Sequence, residues 1–311
     1  MTLLANKLLL LFLCGCLLLS LGGCAAPGAE NTGVTFTDAL GRQVTVPEKP
    51  QRVAALIGSF ADVWLLAGGE LCAAAEDAWE DFSLELPDAV NIGGAHSPNL
   101  ELLLSADPDF VLASASTKAN VELLPVLESA GICVAYVDVD GFADYLSMLK
   151  ICTDITGRQA LYRENGLEPE RRIREVLDGM KLTEERSKVL LLRASSGSVK
   201  AKGSEGTVLG QMLRDLGCRN IADSDATLLE NLSVESIIAQ EPYRIFVVTM
   251  GSDTQAAYDH LYKIMEENPA WGTLAAVKEG RLHLMDKHLF NLKPNARWAE
   301  AYETLSALLQ E

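Results

Sequence analysis

The amino-acid sequence predicts an α/β protein of two lobes, each built on a mainly parallel sheet, joined by one helical segment. Three observations predict it. Apolar, β-rich runs alternate with helical patterns over residues 52–139 and again over 188–285. That is the pattern of parallel strands with helices covering both faces. A charged helical stretch without strand signals, from Phe142 to about Met180, separates the two series. Finally, one module occurs twice: Asn99-Leu-Glu-Leu-Leu-Leu-Ser-Ala-Asp-Pro-Asp-Phe-Val-Leu-Ala113 and Ser233-Val-Glu-Ser-Ile-Ile-Ala-Gln-Glu-Pro-Tyr-Arg-Ile-Phe-Val247.

The first 23 residues read as a leader rather than as part of the fold. Lys7 supplies a sparse positive start, Leu8–Leu19 an apolar run, and Leu21-Gly22-Gly23-Cys24 the small residues and cysteine of a bacterial lipoprotein cleavage site. Cleavage there makes Cys24 the lipidated first residue, followed by a small-residue tether over 24–33. The competing reading is an uncleaved anchor, because the run to Ala26 nearly reaches the ~20 residues that a span requires. Leu13-Cys14-Gly15-Cys16 is a weaker cleavage site, its apolar run being too short. The fold is expected to work on the extracytoplasmic face of a cell membrane, held by lipid.

With 26 Lys and Arg against 43 Asp and Glu, the chain carries a formal charge of −17. Nucleic-acid binding needs a basic footprint, and this chain has none. An acidic surface instead suits docking on a basic partner. Four cysteines follow Cys24, namely Cys72, Cys133, Cys152 and Cys218, with no Cys-x-x-Cys spacing. Zinc and thioredoxin-like chemistry are therefore disfavoured, while disulfides stay open.

Val34–Val46 alternates on either side of turn residues and predicts a β-hairpin. Strands follow at Arg52–Ile57, Glu70–Ala75, Phe110–Ala113 and Cys133–Val139, with helices near 60–68, 99–106 and 120–130. Phe142–Thr156 reads as one helix stopped by Gly157, and Pro169 as a bend in the next stretch. The second series runs through strand Lys188–Arg193, helices 205–216 and 233–239, strand Arg244–Val248, helix 254–267 and strand Arg281–Met285. A last helix starts near Ala296. The resulting divisions are 34–140 for the first lobe, 141–186 for the connector and 187–311 for the second lobe. A single stiff connector should limit how far the lobes open.

In each copy of the module a capping residue precedes a short helix, an acid-proline pair stops it, and a buried strand follows. Each copy also puts a glutamate, Glu101 or Glu235, in the first helical turn. One such glutamate would merely complement the helix dipole, worth about 0.3–1 kcal/mol. Two at equivalent positions point to a shared task.

Phe36-Thr37-Asp38-Ala39-Leu40-Gly41-Arg42, Pro50-Gln51-Arg52-Val53, the twin modules and Lys293-Pro294-Asn295-Ala296-Arg297-Trp298 resemble the substrate-binding lipoproteins of ABC importers for iron–siderophore complexes, haem and cobalamin. The resemblance covers nearly all of residues 34–311. It implies the class III periplasmic-binding fold: two Rossmann-like lobes, one long helical connector and a ligand cleft between the lobes. It also implies delivery to a membrane permease and its ATPase. In that family a glutamate on each lobe's outer rim pairs with permease arginines, a role that falls here to Glu101 and Glu235. Arginine–carboxylate pairs are bidentate and directional, which suits docking.

In doubly wound sheets ligands sit outside the carboxyl ends of the strands. The lining residues expected there are Ser59, Phe60, Trp79, Ser116, Ser196, Met250, Phe290 and Arg297, with Trp79 first among them as a stacking surface. Basic residues Lys200, Lys202, Lys293 and Arg297 are available to anionic chelate oxygens. The expected cargo is a metal chelate, a ferric siderophore ahead of haem or cobalamin. His96, His260, His283 and His288 do not form a converging ligand set, so no metal site is assigned and a bare-ion carrier ranks behind the chelates. His283 alternates with Leu282 and Leu284 and is expected to face away from the core. No Gly-x-Ser-x-Gly, Walker or His-Glu-x-x-His motif occurs, so no catalytic residue and no resident cofactor is assigned. A non-transport binding lipoprotein is the last alternative, and a monomer the expected state.

Overall fold

The computed structural model describes residues 33–47 and 49–311. The leader, Cys24 and residues 24–32 of the tether lie outside the described residues.

Strand β1 (Gly33–Thr37) pairs antiparallel with β2 (Gln43–Pro47), with Val34 opposite Val46. Asp38 organises the turn: its carboxylate accepts from the Leu40 and Arg42 amides and from the Arg42 guanidinium, at 2.7–3.0 Å. Arg42 also donates to Val134 O, tying the hairpin to the first sheet.

That sheet comprises β3 (Val53–Ala55), β4 (Ala73–Ala74), β5 (Val90–Asn91), β6 (Phe110–Ser114) and β7 (Cys133–Val137). It is parallel throughout, in the order β5-β4-β3-β6-β7. The second comprises β8 (Lys188–Ser195), β9 (Ser198–Lys202), β10 (Arg219–Asn220), β11 (Arg244–Thr249) and β12 (Leu282–Leu284). Its order is β10-β8-β11-β12, all parallel, with β9 running back antiparallel along β8. The α/β class read from the alternation is the observed one.

The period-2 geometry of strands assigns each face to a different core. Val53, Phe110 and Leu112 of the first sheet, and Val189, Leu191 and Phe246 of the second, enter one shared apolar cluster. Ala54, Val111 and Val134 fill a second cluster, and Leu190, Leu192 and Val247 a third. Helices α1 (Phe142–Thr156), α2 (Val208–Asp215) and α3 (Trp298–Gln310) supply the rest of the shared cluster. The lobes are therefore joined by packed side chains as well as by chain.

Helix α1 stops at Gly157, whose φ of 70° is the left-handed cap that only glycine adopts without strain. After Gln159–Tyr162, a single π-turn over Arg163–Leu167 leads into helix Glu168–Gly179. The bend expected at Pro169 is thus displaced. Pro169 lies in the first turn of that helix, where its missing N–H is harmless, and the irregularity sits just before it. Arg172 of this helix grips Glu303 of α3 with two N–H groups, at 2.7 and 2.9 Å.

Strands β5 and β10, absent from the sequence reading, are two residues long, too short to show a period. Two further readings change. Ser195–Ser198 is the turn of the β8–β9 hairpin, not an open loop, with Ser195 paired to Ser198. His283 does not face away from the core: it stacks on Phe246 with ring centroids 5.3 Å apart, and burial pushes its pKa down. All four described cysteines are free thiols.

Candidate functional site

The twin modules fold alike. Asn99 accepts from the Leu102 amide at 3.1 Å and caps Leu100–Ser105, while Ser233 accepts from the Ser236 amide at 3.2 Å and caps Val234–Gln240. An acid before proline in left-handed conformation follows each helix: Asp107 at φ 49°, one residue past the Ala106 cap, and Glu241 at φ 47°, itself the cap. Proline disfavours the right-handed helical region for the residue before it, so neither helix can continue through that position. Buried anchors, Leu103 in one helix and Val234 with Ile237 in the other, press each onto its own lobe. A cation behind each helix binds its last carbonyls: Arg52 reaches Ala106 O at 3.1 Å, and Lys188 reaches Gln240 O at 3.4 Å. Glu101 and Glu235 are exposed and ion-paired to no described residue. Each lobe thus presents one carboxylate from an equivalent rigid helix turn.

The carboxyl ends of the strands carry the segments expected to line a cleft. Gly58, after β3, lies against helix Asp77–Glu80, after β4. A side chain at Gly58 would come within 2.6 Å of Ala78 N, and its amide donates to Asp77 Oδ2 at 2.9 Å. From the other end of the sequence, Asn295 Nδ2 donates to Ser59 O at 2.9 Å and to Asp62 Oδ2 at 2.7 Å. Lys287 Nζ pairs with Asp81 at 2.8 Å. Beside these contacts is a cavity of about 400 Å³ lined by Asp62, Asp81, Phe82, His288, Lys293 and Arg297. Burial pushes the carboxyls of Asp62 and Asp77 up and the Lys293 ammonium down, the latter against the pull of Asp140, Asp138 and Asp77.

A second cavity, of about 530 Å³, is cut into the C-terminal lobe. Arg193, Lys202, Gly203, Thr207, Arg214 and Leu229 are among its lining. Arg193 faces Lys200 across the β8–β9 register, and Lys202 lies two residues further along the same face. Arg193 Nε is buried without a hydrogen-bond partner, and burial lowers the pKa of both Arg193 and Lys202. Carboxylates answer these cations poorly. Glu205 lies 3.8 Å from Arg214, and Asp223 is occupied by the Ser204 amide at 2.6 Å. Chemically the cavity is a pocket for an anion.

The expected lining residues divide. Ser116, Ser196 and Met250 are exposed at strand ends. Trp79 is half-buried and packs against the small cluster of Ala55, Ala61, Ala74, Ala78 and Leu86. Arg297 lines the 400 Å³ cavity, but both of its charged arms engage Glu300 at 2.7 Å, bracing the start of α3. Phe60 and Phe290 are corrected to core residues, each 2% exposed, because their helical turns aim them inward at the shared cluster. Ser59 is 3% exposed, and its hydroxyl has no partner among the described residues. Arg193 was missed. Its signal was a lone arginine ending the run Lys-Val-Leu-Leu-Leu-Arg, on the face shared with Leu191. Among the described residues no group of three His, Cys, Asp or Glu is placed to hold a metal, and no helix is long and apolar enough to cross a membrane.

The chain matches the family model for periplasmic binding proteins over residues 53–289. It is similar to the Iron-uptake system-binding protein of Bacillus subtilis, at 24% identity over 245 residues, covering 78% of this chain and 76% of that one. It is 25% identical over 305 residues to the Fe(3+)-citrate-binding protein YfmC of the same species, covering 91% and 90%. In fold it is similar to Staphylococcus aureus SirA complexed with staphyloferrin B, with a TM-score of 0.68 at 19% identity, covering 89% of this chain and 98% of that one. A match over most of its length and a mainly parallel sheet in each lobe place this chain in the periplasmic binding protein family.

Proposed function

We propose that the protein is the substrate-binding component of an ABC importer, that it captures an anionic ferric chelate of the siderophore class, and that it delivers it to a permease. The observation that carries the reading is the pair Arg193 and Lys202, partly desolvated and ion-paired to no carboxylate among the described residues, in a cavity of the second lobe. Leaving a buried charge unpaired is unfavourable unless a ligand supplies the partner. Chelates of ferric iron by carboxylate or catecholate oxygens supply one. Relatives named for iron uptake and ferric citrate support the cargo class.

One charge-assisted hydrogen bond contributes about 1.5–3 kcal/mol, roughly ten- to a hundredfold in affinity. Arg193→Gln is therefore expected to weaken ferric citrate or ferric catecholate binding by about that factor in a calorimetric titration, with thermal unfolding little changed. Unaltered affinity would remove the cargo from this cavity. A panel read by tryptophan fluorescence tests the class itself. If haem or cobalamin quenches at submicromolar concentration and ferric chelates do not, the cargo is a macrocycle.

Anchoring through Cys24 completes the reading, with the acidic body tethered outside the cytoplasm near its permease. Cys24→Ala should accumulate unprocessed precursor and lose acyl labelling. Normal processing of that variant defeats the lipid assignment.

A further inference from the structure

The twin module helices fold alike but present different shoulders. In Leu100–Ser105 the outward glutamate, Glu101, is followed by Leu102, 40% exposed, and Leu104, 37% exposed. Among the described residues, no other helix or strand exposes two large apolar side chains. Single leucines scattered over a surface need no explanation, whereas two on one six-residue helix are a placed feature. A helix advances about 100° per residue, so Leu103, the buried anchor, sets the inward direction. Glu101 and Ser105 then point outward, and Leu102 and Leu104 lie on either flank, about 100° and 60° from Glu101. Among the described residues, no hydrogen bond or ion pair reaches the Glu101 carboxylate.

In Val234–Gln240 the corresponding shoulders are used inside the lobe. Ser236, in the place of Leu102, donates to Asp225 Oδ2. Ile238, in the place of Leu104, is half-buried against the cluster of the C-terminal lobe. Glu235 itself accepts from its cap, Ser233 Oγ, at 3.3 Å. The second glutamate thus has a local partner and polar surroundings, and the first stands unpartnered between leucines.

We infer that the N-terminal lobe carries the dominant half of the permease contact: a permease arginine meets Glu101 inside a collar of apolar permease side chains that close on Leu102 and Leu104. The inference rests on the carrier reading above. An ion pair open to water contributes little, because water competes for both charges. Apolar contacts that exclude water around a central charged pair raise its worth. The two leucines supply that rim at Glu101, whereas Glu235 keeps a wet pair that salt screens. The chemistry fixes the kind of partner: a cation to answer an unpaired carboxylate, with apolar surface to cover its flanks. A second copy of this chain fits badly, since a two-fold contact through this patch brings the two Glu101 carboxylates together.

Titration of the mature protein onto its ABC importer held in lipid nanodiscs, read by biolayer interferometry, tests this. Leu102→Ser with Leu104→Ser should weaken docking by about tenfold, with the thermal midpoint unchanged because both side chains are exposed. Glu101→Gln should cost about tenfold in the wild-type background and clearly less in the leucine-free one, where its pair is already wet. Glu235→Gln should cost less than Glu101→Gln and the same in both backgrounds. Docking that ignores the leucines overturns the inference, and so does a Glu101 effect that is equal with and without them. A loss at Glu235 as large as at Glu101 overturns it as well. Wild-type dimers that the leucine substitutions split in sedimentation assign the patch to a second copy and also overturn it. Complete absence of wild-type docking defeats the carrier reading itself, and this inference with it.

Discussion

Reversing both rim charges, Glu101→Arg together with Glu235→Arg, should abolish cargo-stimulated transport while affinity for the chelate in solution stays unchanged. Both carboxylates are exposed on short helices clamped to their lobes by caps, left-handed stops and buried anchors. Neither lines either of the two cavities. Removing one partner of a close charge pair in an interface costs about 2–5 kcal/mol, and reversal adds repulsion. Losing both pairs is enough to detach a transient complex. The folded state should notice little, since a positive charge in a first helical turn costs about 0.3–1 kcal/mol. Single reversals should weaken docking without eliminating it. Vesicles carrying the reconstituted importer give the measurement. A substantial fall in chelate affinity would place these residues in the cleft and defeat the docking role.

Trp298→Ala should be the most destabilising single substitution of those considered, at about 3–5 kcal/mol in denaturant unfolding. Trp298 is fully buried where α3 meets the connector, with Phe142, Tyr145 and Tyr302 around it at ring-centroid distances of 6.0–6.4 Å. These neighbours belong to the cluster shared by both sheets, so the void opens at the joint between lobes. The same truncation at half-buried Trp79 removes less contact area and should cost clearly less. If the two variants unfold at the same denaturant concentration, the lobes are not held together by this cluster.

The joint also bears on motion. A connector that was chain alone would leave the opening angle to the linker. Here Asn295 bonds Ser59 O and Asp62, Lys287 pairs with Asp81, and Arg172 grips Glu303. The limited opening expected of a single stiff connector gains a second cause in these contacts.

The sequence by itself determined what is local and periodic. Capping residues, acid-proline stops and the glycine after Thr156 declare themselves within a few positions, because each acts on its own turn of backbone. So the twin modules, the hairpin and the longer strands were legible with their order, and order with alternation suffices for the α/β class. The same reasoning failed where a residue's role depends on what meets it. Phe60 follows a strand and Phe290 precedes the Lys293–Trp298 motif, yet both point inward, and a position in the sequence does not state a direction. Arg193 looked like the polar end of a buried strand. Only the return of β9 and the placement of α2 surround it with Lys202, Thr207 and Arg214 and leave its charge unanswered. The junction cavity is the extreme case, since Asn295 and Asp62 are 233 residues apart and no local rule connects them. Their meeting was decided by packing between lobes, where burial of the shared apolar cluster fixes which polar groups face one another.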